Sequence, residues 1–198
     1  DVSALAGVQS IGENNVLGIA MGTAEAAGFV DRDGCITGWL NELAFVPVDC
    51  AQNAMRDEWS GDIGCGVKYF SQDAVNKLAP RAGMMSDEAL SPAEKLKEVQ
   101  QRMEAGDEAA GKVFESIGVY LGHTLAFYHS LYDMRHVLLL GRVMSGTGGD
   151  LILSVCKRVL AEEYAHLANS IRPALPDERF RRVGQSAAAA SLPALSSV

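Results

Sequence analysis

The chain has 198 residues, 48% of them hydrophobic, so it can bury a substantial core and is not intrinsically disordered. The net charge of -8 and the pI near 5.0 argue against nucleic acid as a partner of this segment, because neutralising phosphates requires a basic face. No apolar run reaches the length of a membrane span and no signal peptide opens the chain, so we predict a cytoplasmic protein without membrane contact.

Two apolar strands are predicted first, from Val16 to Met21 and from Ala26 to Val30, with a turn at Asp33-Gly34 after the second. Gly22-Thr23 lies between the two strands, where the first one ends. Gly22 lets backbone N-H groups come close to a ligand and Thr23 adds a hydroxyl, an arrangement that suits phosphate binding. An ordinary hairpin with a glycine at its bend is the alternative interpretation.

Helices follow an irregular stretch that ends near Gly66. Ser71 predicts a helix N-terminus, with the helix running to Leu78 and ended by Pro80. Ser91-Pro92-Ala93-Glu94 has capping-box spacing with proline at the first helical position. A long helix is predicted from Asp107 to Tyr132, where apolar residues recur at three- and four-residue steps. Three glycines in it weaken the helix but permit close approach of another backbone: Gly111, Gly118 and Gly122.

The second candidate ligand loop runs from Gly141 to Gly149, between a predicted strand at His136 to Leu140 and a helix beginning around Asp150. Strand, glycine-rich loop and helix are a common nucleotide-binding layout. The spacing fits neither GxGxxG nor the Walker pattern, and a glycine-rich helix entry remains the alternative. A further strand at Ser170 to Leu175 and a final helix containing Ser186 to Ser191 complete the prediction.

The cysteines and histidines do not suggest a metal centre or a disulfide framework. The cysteines occur singly, at Cys35, Cys50, Cys65 and Cys156, which predicts reduced, mostly buried thiols. His123 and His129 lie six residues apart, and therefore on roughly opposite sides of a helix.

Four segments, in order, resemble one protein family. Gly22-Thr23-Ala24 is similar to a Gly-Thr-Gly phosphate motif, Asn41 to Phe45 to a Gly-Glu-x-Gly-His sugar motif, and Leu138 to Arg142 to an adenosine loop. The closing stretch GQSAAAASLPAL is similar to the same family's C-terminal segment. The chain thus resembles the later part of ROK-family proteins, a group of bacterial sugar kinases and sugar-sensing repressors.

The resemblance implies an α/β fold: the larger lobe of an actin-like ATPase (ribonuclease H-like) fold, with a mixed sheet flanked by helices. Residues 1-198 would form a single domain, the C-terminal lobe of a two-lobed protein and incomplete at its N-terminus. The family's catalytic aspartate would stand two positions before Asp1. The resemblance therefore assigns no catalytic residue to this chain, and the segment alone is expected to be inactive.

In the intact protein the resemblance implies transfer of the ATP γ-phosphoryl group to a hydroxyl of a hexose or N-acetylhexosamine, with Mg²⁺ on the phosphates. It assigns phosphate to Gly22 and Thr23 and the sugar to Asn41 and Glu42. The adenosine would lie against Gly141 and Arg142. A homodimer is also implied.

Several positions depart from the family's motifs. Glu58 and Ser60 occupy the first two cysteine places of its zinc pattern, the histidine place near Phe45 or Val46 is apolar, and Cys65 is the one cysteine kept. One thiol does not satisfy a structural zinc, so we predict no zinc. Val67 stands where the family has a second sugar-binding glutamate.

These departures favour two alternatives to the kinase. One is a non-catalytic sugar-binding or transcriptional-regulator lobe of the same family, supported by Phe45, Val67 and Arg142. The other is an assembly or dimerisation domain that uses the helix from Asp107 to Tyr132. The assembly hypothesis requires an exposed apolar stripe on that helix with no ligand pocket nearby.

Overall fold

The computed structural model describes residues 11-36 and 41-176 together with Val8. The predicted final helix around Ser186 to Ser191 lies outside these residues. The strands and helices, in chain order, are β1 (Val16–Met21), β2 (Glu25–Val30), α1 (Gln72–Arg81), α2 (Pro92–Glu104), α3 (Glu108–Tyr132), β3 (His136–Leu140), α4 (Gly146–Glu163) and β4 (Arg172–Ala174). Short 3₁₀ helices occur at Leu43–Phe45, Gly66–Lys68 and Arg142–Met144.

The strands form one mixed sheet in the order β2-β1-β3-β4, which confirms the predicted α/β class. β1 pairs antiparallel with β2 and parallel with β3, and β3 pairs parallel with β4. The central strands β1 and β3 are almost continuously apolar because both of their faces are covered. Since β1 and β3 are parallel, their carboxyl ends meet at one edge of the sheet, where Ala20 pairs with Leu140.

Helix α3 is the central helix of the core, with ten buried residues along its 25 positions. It packs closely on α4 because two of its glycines allow it: a Cβ at Gly118 would lie 2.8 Å from the Ile152 carbonyl oxygen, and one at Gly122 would lie 2.6 Å from Val159 Cβ. The predicted close backbone approach is confirmed at these two glycines. At Gly111 a Cβ would meet nothing within 4 Å, so no close approach occurs there.

Local capping signals set most helix N-termini. The Asp107 side chain accepts hydrogen bonds from the N-H groups of Ala109 and Ala110 at the start of α3, and Ser91 forms the predicted capping box with Glu94. Helix α1 continues through Pro80 to Arg81, three residues beyond the predicted end. Within the described part of the chain, no helix is long and apolar enough to cross a membrane.

Candidate functional site

Gly22-Thr23-Ala24 forms the turn between β1 and β2. The Gly22 N-H donates to the Ala24 carbonyl at 3.0 Å, and the Gly22 carbonyl accepts from the Gln72 N-H at 2.8 Å, which joins the turn to the start of α1. Thr23 is exposed. A Cβ at Gly22 would meet only the Ala24 carbonyl, at 3.8 Å. The protein itself therefore does not require glycine at this position, and the open space beside the Gly22 Cα lets a ligand come close to the turn.

Gly141 ends β3 with φ of 96°, a conformation that favours glycine. A Cβ there would lie 2.3 Å from the carbonyl oxygen of Met21, so Gly141 packs directly on the backbone before the Gly22 turn. The Arg142 carbonyl accepts from Gln100 Nε2 at 2.7 Å, and this bond fixes the loop to α2. The structure thus brings the predicted phosphate turn and the predicted adenosine loop together at one edge of the sheet.

Helix α4 begins at Gly146, four residues before the predicted start near Asp150. The prediction of a longer loop was wrong because two of its glycines serve packing within the helix. A Cβ at Gly149 would lie 2.1 Å from the Met144 carbonyl oxygen, and one at Gly148 would lie 2.8 Å from the Phe114 ring. The glycine richness of this segment is therefore partly explained by close packing of α4.

Asn41 and Glu42 lead into the 3₁₀ helix Leu43–Phe45. Asn41 has φ of 39°, and Glu42 is an exposed carboxylate at the N-cap position. Leu43 and its neighbour Ala44 are buried and anchor the segment. The Leu43 carbonyl oxygen lies against Gly66, where a Cβ would be 2.4 Å away. Gly66 also lies against the side chain of Glu25, the first residue of β2, so the predicted sugar segment packs beside the start of that strand. The phosphate turn and the adenosine loop, by contrast, contact each other directly.

A buried lysine that sequence reasoning missed organises the loop of residues 56-66. Lys68 is 3% exposed, and its Nζ lies 3.0 Å from Asp57 Oδ1, 2.5 Å from Glu58 Oε2 and 2.7 Å from Asp73 Oδ2. Burial alone would lower the pKa of Lys68, but hydrogen bonds to Asp73, Glu58 and Asp57 outweigh burial and raise it. Lys77 reaches Glu58 from the solvent side at 3.0 Å. We call these five residues the Lys68 ion cluster.

The same loop is joined by backbone hydrogen bonds to the segment that follows Phe45. The Val48 N-H donates to the Gly64 carbonyl at 2.7 Å, and the Gly66 N-H donates to the Val46 carbonyl at 3.0 Å. An aromatic contact adds to them: the Phe45 and Trp59 rings lie 5.7 Å apart between centroids. Trp59 is 84% exposed, so the contact lies at the surface.

Glu25, at the start of β2, is a second residue that sequence reasoning missed. It is 5% exposed, neither carboxylate oxygen has a hydrogen-bond partner, and burial raises its pKa to about 8. It shares its face of β2 with Ala27 and Phe29, because side chains alternate along a strand. Phe29 belongs to the hydrophobic core. The spacing of Glu25 and Phe29, four residues apart on one strand and therefore on the same face, was a signal in the sequence that could have predicted this buried carboxyl group.

The donor set in this region does not suit the structural zinc that the resemblance implies. In the resemblance, Glu58 and Ser60 take the places of two cysteine ligands and the histidine place near Phe45 or Val46 is apolar, so Cys65 supplies a single buried thiol. Within residues 11-36 and 41-176, no group of three His, Cys, Asp or Glu side chains could hold a metal ion. Cys156 is also buried, but Cys35 and Cys50 are exposed, so the prediction of mostly buried thiols was wrong for two of the four.

In the described part of the chain, three cavities lie away from the Gly22 turn and the Gly141 loop. One, of about 210 Å³, lies between α1 and α3, where Asp49 accepts hydrogen bonds from the hydroxyls of Tyr69 at 2.6 Å and Tyr120 at 3.0 Å. A second, of about 700 Å³, lies at the opposite edge of the sheet near Asn15 and Arg135. A third, of about 520 Å³, lies between α3 and α4 beside Gly111. On α3, the apolar side chains described as exposed are Phe127 and Leu131, at 46% and 53%; both lie in its last two turns.

The chain shares its fold with solved structures of ROK-family proteins. A ROK family glucokinase from Streptomyces griseus, in complex with glucose and AMPPNP, matches with a TM-score of 0.71 and 17% identity over 96% of this chain. A ROK hexokinase from Thermus thermophilus matches with a TM-score of 0.67 and 19% identity over 94%.

A regulator is equally similar. A ROK family transcriptional regulator, a homolog of the E. coli MLC protein, matches with a TM-score of 0.71 and 19% identity over 94% of this chain. The chain spans 66%, 61% and 49% of the lengths of these three proteins. No protein-family model and no curated protein matches the sequence. The predicted resemblance to ROK proteins is thus confirmed at the level of the fold.

Proposed function

We propose that this chain is the nucleotide- and sugar-binding lobe of a ROK-type sugar kinase that transfers the ATP γ-phosphoryl group to a hydroxyl of a hexose or N-acetylhexosamine. The observation that carries the proposal is the contact between Gly141 and Met21, which brings the Gly22 turn and the Arg142 loop to the same edge of the sheet. Ligands of open α/β sheets bind at the carboxyl ends of the strands. One nucleotide spanning both turns would have its phosphates at Gly22 and its adenosine at Gly141.

In this proposal, each residue binds or orients a ligand. The Thr23 hydroxyl donates to a phosphate oxygen, Gly22 leaves room for the phosphate beside it, and the exposed Arg142 side chain flanks the adenosine. Glu42 accepts hydrogen bonds from sugar hydroxyls, and such charge-assisted bonds are stronger than neutral ones. Mg²⁺ would neutralise charge on the phosphates when bound. The proton acceptor is the aspartate that the resemblance assigns upstream of Asp1.

The sugar and nucleotide are supported by a neighbour: the Streptomyces griseus glucokinase is in complex with glucose and AMPPNP. A cytoplasmic homodimer that contacts neither membrane nor nucleic acid through this segment is part of the same proposal. Most of the apolar surface of α3 is used within the core, which weakens the assembly alternative for the described part of this helix.

The second candidate function is a non-catalytic sugar-binding or regulator lobe. Phe45 and Val67 favour it, because both replace polar groups that the resemblance assigns to the sugar. The transcriptional regulator matches with the same TM-score as the glucokinase, so the fold does not discriminate between the two.

Turnover of the complete gene product distinguishes these functions. ADP release is measured with ATP, Mg²⁺ and a panel of hexoses and N-acetylhexosamines, for the wild type, Glu42→Ala and the exposed control Glu162→Ala. Sugar-dependent release that is lost in Glu42→Ala and kept in Glu162→Ala supports the kinase. Sugar binding by calorimetry without ADP release supports the regulator, and absence of both contradicts the two proposals.

A further inference from the structure

The segment from Asn41 to Phe45 has no long secondary structure to hold it, yet it carries the proposed sugar ligands. Its anchors are the buried Leu43 and Ala44, the hydrogen bond from the Gly66 N-H to the Val46 carbonyl, and the ring contact from Phe45 to Trp59. A ligand must be positioned closely for phosphoryl transfer, where a displacement of about 1 Å costs roughly a hundredfold in rate. The loop that carries Trp59 and ends at Gly66 therefore contributes to the positioning of this segment.

Trp59 is held on its loop by polar contacts, since its own side chain is largely in solvent. Its neighbour Glu58 is bound by Lys68, and Asp57 accepts from Lys68 on one oxygen and from the Ser60 N-H on the other at 2.7 Å. Lys68 also binds Asp73 at the start of α1. One ammonium group thus connects both residues before Trp59 to a helix of the core.

We propose that Lys68 is a positioning residue for the sugar-binding segment, and that its buried ammonium group provides the cross-link of the 56-66 loop in place of a metal ion. Lys68 fixes Asp57 and Glu58, these fix Trp59, and the ring of Trp59 supports Phe45 and the segment that begins at Asn41. The part of the inference that concerns the sugar rests on the proposed function. The part that concerns the loop does not.

The chemistry of the cluster supports this assignment. A structural metal site joins distant segments through one cation surrounded by side-chain donors. Here the cation is covalently part of the chain, and its three hydrogen bonds go to carboxylates from two separate segments. Glu58 and Ser60 fill two positions that would supply metal ligands in the resemblance, and Glu58 is itself a partner of Lys68.

The first experiment tests the loop without depending on sugar or turnover. Near-ultraviolet circular dichroism of the complete protein is compared between wild type and Trp59→Leu, which isolates the Trp59 signal. We expect Lys68→Met to lose that signal, Lys68→Arg to keep part of it and the exposed control Lys157→Met to keep all of it. An unchanged Trp59 signal in Lys68→Met overturns the proposal.

The second experiment tests positioning of the sugar. We expect Lys68→Met to lower kcat/KM for the sugar roughly ten- to a hundredfold, while the KM for ATP changes little. Trp59→Leu leaves the ion cluster intact and is expected to lower kcat/KM for the sugar in the same way, so the test survives if Lys68→Met does not fold. An unchanged kcat/KM for the sugar in both variants overturns the positioning role.

Metal content completes the test. We expect no stoichiometric zinc by elemental analysis, and no change in melting temperature after treatment with a chelator. Stoichiometric zinc, with destabilisation on its removal, overturns the claim that Lys68 replaces a metal. A wild-type protein that binds no sugar contradicts the proposed function only, because the circular dichroism comparison still decides the role of Lys68 in the loop.

Discussion

Glu25 carries a carboxyl group in the protein interior, and this has a consequence for stability that can be measured against pH. Burial disfavours the charged form and raises its pKa from 4.5 to about 8. Between pH 4.5 and about pH 8, the Glu25 carboxyl group is therefore protonated in the folded state and ionised in the unfolded state. The stability from this group is fully present below pH 4.5, decreases as pH rises, and is lost by about pH 8.

We expect Glu25→Gln to flatten this dependence, because an amide does not ionise. At pH 7 the wild type has lost about 3 kcal/mol of this contribution, given about 1.4 kcal/mol for each pH unit above 4.5. The free energy of unfolding, measured in urea between pH 5 and pH 8, should fall with pH in the wild type and in the exposed control Glu162→Gln. An equal slope in Glu25→Gln would contradict the buried, protonated state.

Two glycines at the candidate nucleotide edge should respond differently to alanine. At Gly141 the methyl group would overlap the Met21 backbone and φ is positive, so we expect Gly141→Ala to lose about 3 kcal/mol or more of stability. At Gly22 there is room for a methyl group, so Gly22→Ala should fold normally. Its methyl group would instead occupy the space proposed for phosphate, which should raise the KM for ATP.

Urea unfolding and ATP kinetics on the complete protein separate the two effects. Gly22→Ala serves as the stability control for Gly141→Ala. A normal KM for ATP in a well-folded Gly22→Ala protein would contradict the assignment of phosphate to the turn between β1 and β2.

Within the elements, helix α3 offers a matched comparison of glycines in one helix. Gly111 has open space around its Cα, so Gly111→Ala should stabilise the protein by about 1 kcal/mol through helix propensity. At Gly122 a Cβ would meet Val159 at 2.6 Å, so Gly122→Ala should destabilise it by about 1-3 kcal/mol by separating α3 from α4. Thermal unfolding checks both, and the same sign at both positions would contradict the packing of α3 on α4.

The same elements show what a sequence can predict. The start of α3 was predictable because Asp107 is a local capping signal, and β3 because it is a short apolar run that ends in glycine. The start of α4 was misplaced because Gly148 and Gly149 suggest a loop when only neighbours in sequence are considered. Gly148 is required by contact with the Phe114 ring, which only the folded chain brings close, whereas Gly149 is required by the nearby Met144 carbonyl at the turn into the helix.

The candidate site divides in the same way. Gly22 and Gly141 could be singled out because each carries a local glycine signal at the end of an apolar strand. Lys68 could not, since lysine is rarely buried and nothing in its local sequence marks it as such. Its partners Asp57, Glu58 and Asp73 are near in sequence, but they converge on one ammonium group only when the loop and the start of α1 are folded together.

For the whole molecule, stability should decrease on both sides of an optimum at mildly acidic pH. The Ser60 N-H and the Lys68 ammonium lower the pKa of Asp57 from 3.8 to about 2, and hydrogen bonds from Lys68 and Lys77 lower that of Glu58 from 4.5 to about 2. Stability from these groups is present above pH 4.5 and lost as pH falls toward 2. The contribution of Glu25 to stability has the opposite pH dependence, because it decreases as pH rises above 4.5.

We therefore expect the melting temperature to be highest near pH 4.5 and to fall on both sides. Lys68→Met should lower it most at neutral pH, because it leaves the buried Asp57 carboxylate without its cation, and should weaken its dependence on acid. Calorimetry from pH 2.5 to pH 9 checks this, with Lys157→Met as the control. If Lys68→Met keeps the acid dependence of the wild type, the ion cluster is not what protects the fold against acid.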